Sequence, residues 1–380
     1  MKDNSDVCLT IVIPVFNGEK YIAETVEHIL MTATVHIEVL LIDDGSADGS
    51  AQLCDELSQR DKRVKCIHIY NSGIAAARNK GIEQAQGKYI CFCDQDDEMV
   101  ISVYEHLVYE MIKKSATMGM CATGRHINGQ KSIYEYTQNA YYEHDEVLHH
   151  VLFHILFRGY DYPFVKGNNY LYGTVWKCVF DTEFIRNNNI EFKSFVNYED
   201  DWIFVTHALS LTENIVVTHE IGYYWNINMQ SKSHGKEYIS EIIHKIDEQD
   251  AYVYKYLTDR GISVRVMAEY EKIRLCEHYL EVIENASYAD KNNRSVCVEQ
   301  LRQYLKRTDY RHKLSCNRSL KKAAFRKRLV CGALRLTGIT GALFTNRLMR
   351  MIETNAGRIQ WIVRMERRSK LKGSCDDTVI

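Results

Sequence analysis

No uninterrupted apolar run in this chain of 380 residues reaches the roughly 18 that a membrane-crossing helix needs, so no transmembrane span is expected. Net charge of one sign is missing too. The 48 Lys and Arg against 50 Asp and Glu leave −2, which gives no global attraction for nucleic acid, so electrostatic partners must be sought in local clusters. The twelve cysteines lack paired C-x-x-C spacing, and His28, His36, His68 and the later histidines show no H-x-x-x-H pairing, so a zinc site is not expected. No secretory leader is evident before the first apolar strand, and reduced cytosolic thiols are expected rather than a disulfide framework. Internal repeats and low-complexity tracts are also absent. Only two prolines occur, and Pro14 marks where a first strand stops, because a residue without N–H is tolerated at a strand end but not in mid-ladder.

What is present is an alternation of short apolar runs and helix-like segments. With 46% hydrophobic and 26% charged residues, the chain is an ordinary globular protein, long enough for a large core and two lobes. Strands are expected near 9–15, 37–42, 64–69, 89–93 and 118–123, with helices near 19–31, 49–60, 74–86 and 98–113 between them. This order predicts an α/β fold with a mainly parallel sheet flanked by helices. The strand ends then share one rim, bringing Phe16, Asp43, Arg78 and Asp94 to Asp97 together.

The most telling stretch is Asp94-Gln95-Asp96-Asp97, directly after the apolar run Tyr89 to Cys93. Three carboxylates leaving a buried strand suit a hard divalent ion, Mg²⁺ or Mn²⁺, whose shell substrate phosphates complete. A solvated acidic turn is the bland alternative. Upstream, Ile13-Pro14-Val15-Phe16-Asn17 ends one strand and Ile42-Asp43-Asp44-Gly45-Ser46 ends another, while Gly73 to Gly81, with Arg78 and Asn79, opens a helix. A second acidic group, Glu199-Asp200-Asp201, begins a further helix, where carboxylates also face the helix dipole favourably.

These motifs in this order resemble the family 2 glycosyltransferases of the GT-A fold, over roughly residues 7–230. The resemblance implies an inverting enzyme that moves a sugar from a nucleotide-diphosphate sugar, UDP-linked by expectation, to a hydroxyl of a glycan or lipid-linked acceptor in surface polysaccharide synthesis. A nucleotidyltransferase of related fold and a non-catalytic sugar- or lipid-binding module are the alternatives. By the resemblance, Pro14, Phe16, Asn17, Asp43, Asp44, Arg78, Asp94 and Asp96 line the nucleotide site. Asp96 and Asp94 hold the metal in this DXD motif, and Asp200, with Glu199 beside it, is the catalytic base. Asp43 and Asp44 alternatively cap the next helix, Phe16 alternatively belongs to the core, and Arg78 alternatively forms a surface ion pair. Asp97 is either an outer contact of the metal or a helix cap. Gly73 and Gly81 are assigned to backbone geometry and close packing.

Residues 130–196 are rich in Tyr, His and Phe, which pack against sugar C–H faces, so acceptor recognition is expected there. Lys177 stands one place early against the family's W-x-K-L-F segment. Lys232 and His234 are candidate phosphate or metal contacts. The expected organisation is a catalytic domain over 1–230, a helical extension over 231–317 and a basic amphipathic tail over 318–380. From Arg318 to Lys372 that tail carries fifteen Lys or Arg against two acidic residues. Such a segment reads as a membrane-surface helix, with an RNA-binding tail or a helix packed on the catalytic lobe as the alternatives; the membrane reading places the protein in the cytoplasm at the inner face of the cell membrane, and a nucleic-acid partner is not expected.

Overall fold

Seven consecutive buried residues, Leu9–Val15, form the first strand, β1, and seven more, Ile37–Asp43, form β2 beside it in parallel. Continuous apolar burial of this kind belongs to strands covered on both faces. The computed structural model describes residues 8–127, 129–158, 162–167, 169–195, 200–227, 238–290, 293–309, 314 and 328–349. Helices α1 (Ile22–Thr32), α2 (Ser50–Arg60) and α3 (Ile74–Gln84) connect β1, β2, the edge strand β3 (Val64–His68) and β4 (Tyr89–Phe92). Each helix buries one stripe, as Ile22, Val26 and Ile29 do in α1.

The sheet continues through β5 (Glu98–Met99), β6 (Met118–Ile127), β7 (Gln130–Glu135), β8 (Ala140–Glu143), β9 (Cys178–Asp181) and β10 (Asn214–Asn226), in the order β3-β2-β1-β4-β9-β6-β10-β5. Parallel pairing covers β3-β2-β1-β4 and the β6–β10 pair, while β9 runs antiparallel to both β4 and β6. The α/β class holds, and the sheet is mixed rather than mainly parallel. Strand β7 is largely exposed and β8 half-buried, neither carries an apolar run, and β9 has four residues, so none leaves a clear periodic signal. Helix α4 (Ile101–Lys114) starts later than residue 98, because Glu98 and Met99 pair with Tyr224 and Tyr223 of β10.

β1 runs one residue past Pro14. The β4 ladder ends at Val12–Phe92, and Val12 and Cys8 bond toward β4, so Pro14, in step with them, turns its missing N–H to the side where pairing has stopped. Gly81 supplies the close packing expected of it: a Cβ there would stand 2.2 Å from Val12 Cγ1, so only glycine lets α3 lie on β1.

Further helices are α5 (Asp145–Val147), followed by a π turn, α6 (Phe153–Leu156), α7 (Thr182–Asn187), α8 (Asp200–Leu211), α9 (Ile242–Asp259), α10 (Val264–Tyr288) and α11 (Arg294–Arg307), and residues 328–349 are helical as well. The described residues fall into two compact units, one within Met1–Gly235 and Lys245–Val264, the other within Lys236–His244 and Arg265–Ile380. The second unit buries a stripe of α10 that includes Tyr270, Ile273, Cys276, Tyr279 and Ile283. Tyr279 donates to Thr308 Oγ1 at 2.9 Å beyond α11. Most of the basic tail lies outside the described residues. No helix among the described residues is long and apolar enough to cross a membrane.

Candidate active site

The carboxyl ends of β1, β2, β3 and β4 lie on one edge of the sheet, and the loops that leave them are bonded to one another. Gln95 accepts the Phe16 N–H at 3.0 Å and donates to the Phe16 carbonyl at 3.2 Å, tying the β1 loop to the β4 loop. Exposed Asn17, at φ 50°, gives its N–H to Ser46 Oγ at 3.0 Å and accepts the Ala47 N–H at 2.8 Å, tying the β1 loop to the β2 loop. Asp44 accepts the N–H groups of Ser72 at 2.7 Å and Gly73 at 2.9 Å, which fixes the entry to α3. Gly73 holds φ 88° there, a conformation open to glycine. Asp44 thus anchors a loop, and Asp48, which accepts the Ser50 N–H at 3.0 Å, serves the start of α2.

Asp43 is buried at the end of β2, with Oδ1 accepting the Ser46 N–H at 3.1 Å and Oδ2 facing His68 Nδ1 at 2.9 Å. The hydrogen bond to Asp43, opposed by partial burial and helped by Asp55, raises His68 to about 9.

Arg78 is the hub. It lies in the second turn of α3, 3% exposed, and its guanidinium reaches Asp94 Oδ1 at 3.0 Å, Asp200 Oδ2 at 3.0 Å and Asp201 Oδ1. It is a buried ion-pair centre, not the surface pair considered from sequence. Burial works against its charge, but Asp201, Asp94 and Asp200 outweigh that and hold it firmly protonated. Its Nε is buried with no acceptor among the described residues. Phe192 lies under the guanidinium, with 5.3 Å between Cζ and the ring centre, and Asn79 brackets the Phe192 backbone at 2.8 and 2.9 Å. Helix α3 therefore anchors the stretch that precedes α8 and its acidic start.

The two aspartates at that start differ. Asp201 has both oxygens engaged, one by Arg78 and one by the Val175 N–H at 3.2 Å. Asp200 uses only Oδ2, leaving Oδ1 without a partner among the described residues. Burial, moderated by Arg78 and reinforced by Asp200 and Asp94, raises Asp201 to about 7. Glu199, the other residue assigned to catalysis from sequence, lies outside the described residues, as do Lys232 and His234.

In the β4 loop, Asp97 is buried and clamped, accepting from Tyr223 Oη at 2.8 Å and from the Asn226 N–H at 2.7 Å. Tyr223 Oη also accepts the Asp94 N–H at 3.0 Å, and Asn226 donates to the Asp96 carbonyl at 2.8 Å. Asp97 is therefore a structural tie to β10 and not a cap of α4. Burial, then the charges of Asp94 and Asp96, push Asp97 well above the usual carboxylate range. Burial and the neighbouring Asp94 raise Asp96 to about 6, and no basic side chain pairs with Asp96 among the described residues. Asp96, half-buried and without a counter-cation of its own among the described residues, stands beside Asp94, which gives one oxygen to Arg78, and together they make a donor set that fits a hard divalent ion. These roles for Gln95, Tyr223 and Asn226 were not assigned from sequence, although Gln95 lies within the acidic stretch singled out there.

Lys177 is fully buried against Glu135, with Nζ 2.8 Å from each carboxylate oxygen and 2.5 Å from the Tyr172 carbonyl. Glu135 also accepts from Thr123 at 3.1 Å and Thr174 at 3.3 Å. This satisfied pair holds the segment that brings Val175 to Asp201. Nearby, Tyr134 stacks on Tyr172 at 4.8 Å, Tyr136 on Tyr170 at 5.9 Å, and Arg158 sits 3.6 Å from the Tyr172 ring centre. Tyr136 and Tyr170 are exposed.

Residues 10–186 match the family model described as Glycosyl transferase family 2. The chain is 41% identical over 109 residues to Glycosyltransferase GlyG of Streptococcus pneumoniae, an alignment covering 28% of this chain and 36% of that protein. It is 35% identical over 102 residues to the glycosyltransferase EpsJ of Bacillus subtilis, covering 27% and 30%. The aligned stretches thus span about a third of these relatives' length. In fold, the chain is similar to S. aureus TarS 1–349 solved in complex with UDP-GlcNAc, with TM-score 0.61 and 16% identity over 91% of this chain and 92% of that one.

Proposed function

We propose that this chain, through the glycosyl transferase family 2 domain matched by residues 10–186, transfers a sugar from a nucleotide-diphosphate sugar to a hydroxyl of a glycan or lipid-linked glycan acceptor in bacterial surface-polysaccharide synthesis, with inversion. The observation that carries this reading is the Arg78 bridge, which joins the acidic group after β4 to the acidic start of α8. UDP is the proposed nucleotide, supported by the ligand of the similar TarS structure.

Roles follow from position. Phe16, Pro14 and Asn17 border the base side, and Asp43 at the end of β2 accepts the imide N–H of a uracil, since each of its oxygens has a second lone pair. Asp44 acts indirectly, through the loop it fixes. Asp94 and Asp96 are the proposed ligands of a Mg²⁺ or Mn²⁺ ion. Such an ion, when bound, offsets the charge that develops on the departing diphosphate. Asp200 takes the acceptor proton through Oδ1 while Arg78 holds Oδ2 and fixes the carboxylate's orientation. The exposed tyrosines around Tyr136 and Tyr170 are proposed to receive the acceptor sugar through ring faces. The basic segment beyond Arg318 is proposed to hold the protein at the cytoplasmic face of the membrane. That last element fails if protein with and without residues 318–380 floats equally poorly with anionic liposomes.

A screen of nucleotide sugars with Mn²⁺ or Mg²⁺ tests the reaction itself, with release of free nucleoside diphosphate as the readout. Release of UDP from one or a few donors, abolished by chelator, supports the reading. No release from any donor, with or without oligosaccharide acceptors, overturns it.

A further inference from the structure

On the far side of Asp43, α2 and β3 bring together three side chains of different ligand chemistry. Cys66 and His68 are two apart on β3, which puts them on one face of the strand, and Asp55 stands on α2 against that face. His68 Nε2 lies 3.2 Å from Asp55 Oδ1 and 3.5 Å from Cys66 Sγ, and the three ligand atoms fall within 4.8 Å of one another. A tetrahedral zinc ion, with a bond of about 2.3 Å to sulfur and about 2.0 Å to nitrogen and oxygen, separates its nitrogen by about 3.3 Å from oxygen and about 3.6 Å from sulfur. Both spacings from the His68 nitrogen match these values.

Two further features fit. His68 Nδ1 is 2.9 Å from Asp43 Oδ2, the carboxylate–histidine arrangement that orients a metal-bound imidazole and leaves the opposite nitrogen for the ion. Asp55 and His68 are exposed and Cys66 is half-buried, so an ion has an entry path and water a fourth position. A sulfur, nitrogen and oxygen donor set favours a borderline ion such as Zn²⁺ over Mg²⁺ or Ca²⁺. Sequence spacing argued against any zinc site, because the ligands come from a helix and the strand after it rather than from one element.

We propose that Asp55, Cys66 and His68 form a zinc-class metal site that shares no residue with the Asp94–Asp96 pair. Because Asp43 holds the other nitrogen of His68, an ion here fixes the end of β2. The inference stands apart from sugar transfer, since its readout is metal binding alone.

The test uses the full chain, stripped with chelator and exchanged into metal-free buffer, then titrated with Co²⁺ and with Zn²⁺ against a chromophoric chelator. One equivalent of Co²⁺ is expected to give a sulfur-to-cobalt charge-transfer band that one equivalent of Zn²⁺ removes. Cys66→Ser abolishes the band, and Cys66→Ser and the exposed-site variant Asp55→Asn each weaken zinc binding by more than about tenfold. The double variant Asp94→Asn/Asp96→Asn keeps both band and affinity. Absence of the band at one equivalent, or zinc affinity unchanged in Cys66→Ser and Asp55→Asn alike, overturns the proposal and leaves a hydrogen-bonded cluster only.

Discussion

Arg78 and Asp200 lie 122 positions apart in sequence and 3.0 Å apart in the fold, with the other terminal nitrogen of the same guanidinium 3.0 Å from Asp94. One cation therefore holds the metal-type loop and the base-type helix start in a fixed relation. Three carboxylates around one buried guanidinium leave an excess of negative charge, which fits a site that receives a divalent ion.

Removing that cation is expected to be costly. Arg78→Met leaves Asp94, Asp200 and Asp201 without their counter-ion and should destabilise the first unit by about 3–5 kcal/mol. Urea unfolding followed by tryptophan fluorescence checks this. A loss within about 0.5 kcal/mol, the range of ordinary surface changes, would show the bridge to be incidental.

Asp201 makes a pH-dependent contribution of definite sign. Its folded value near 7 lies above the ordinary 3.8, so the folded state holds a proton that the unfolded state releases. The stabilisation is fully present below pH 3.8 and is lost as pH rises through 7. The difference in unfolding free energy between parent and Asp201→Asn should therefore slope across this window and level off above it. A flat difference contradicts the assignment.

Tyr223→Phe removes one hydroxyl that serves two partners, the Asp94 N–H and the Asp97 carboxylate. The expected cost is about 1–3 kcal/mol, because the buried Asp97 is left short of a donor. A thermal melt unchanged from the parent would place the tie elsewhere.

The donor-set reading predicts that UDP binds more tightly with Mn²⁺ than without, and that Asp94→Asn and Asp96→Asn each erase that difference. Calorimetric titration with and without the ion checks it. Retained Mn²⁺ enhancement in both variants would remove these residues from the metal's shell.

The parallel half of the sheet and its acidic rim were legible in the sequence because β1, β2 and β4 are buried on both faces and read as unbroken apolar runs. Gly73 and Gly81 were legible for a similar reason, since only a backbone demand places glycine there. The Asp200 and Asp201 partners of Arg78 were not, because pairing over more than a hundred residues leaves no local pattern. Asp97 stayed open between an outer contact and a cap, and only the return of Tyr223 and Asn226 from β10 shows its tie to that strand. The Lys177–Glu135 pair was equally hidden, as Glu135 ends an exposed strand whose other residues carry little apolar signal.

Asp200 is the proposed base, beside a donor site that does not need it for binding. Measuring sugar transfer and UDP affinity side by side in Asp200→Asn tests it most directly. Transfer reduced by at least about a hundredfold with UDP affinity close to the parent's is expected; transfer at the parent's rate, or affinity lost together with transfer, would remove Asp200 from that role.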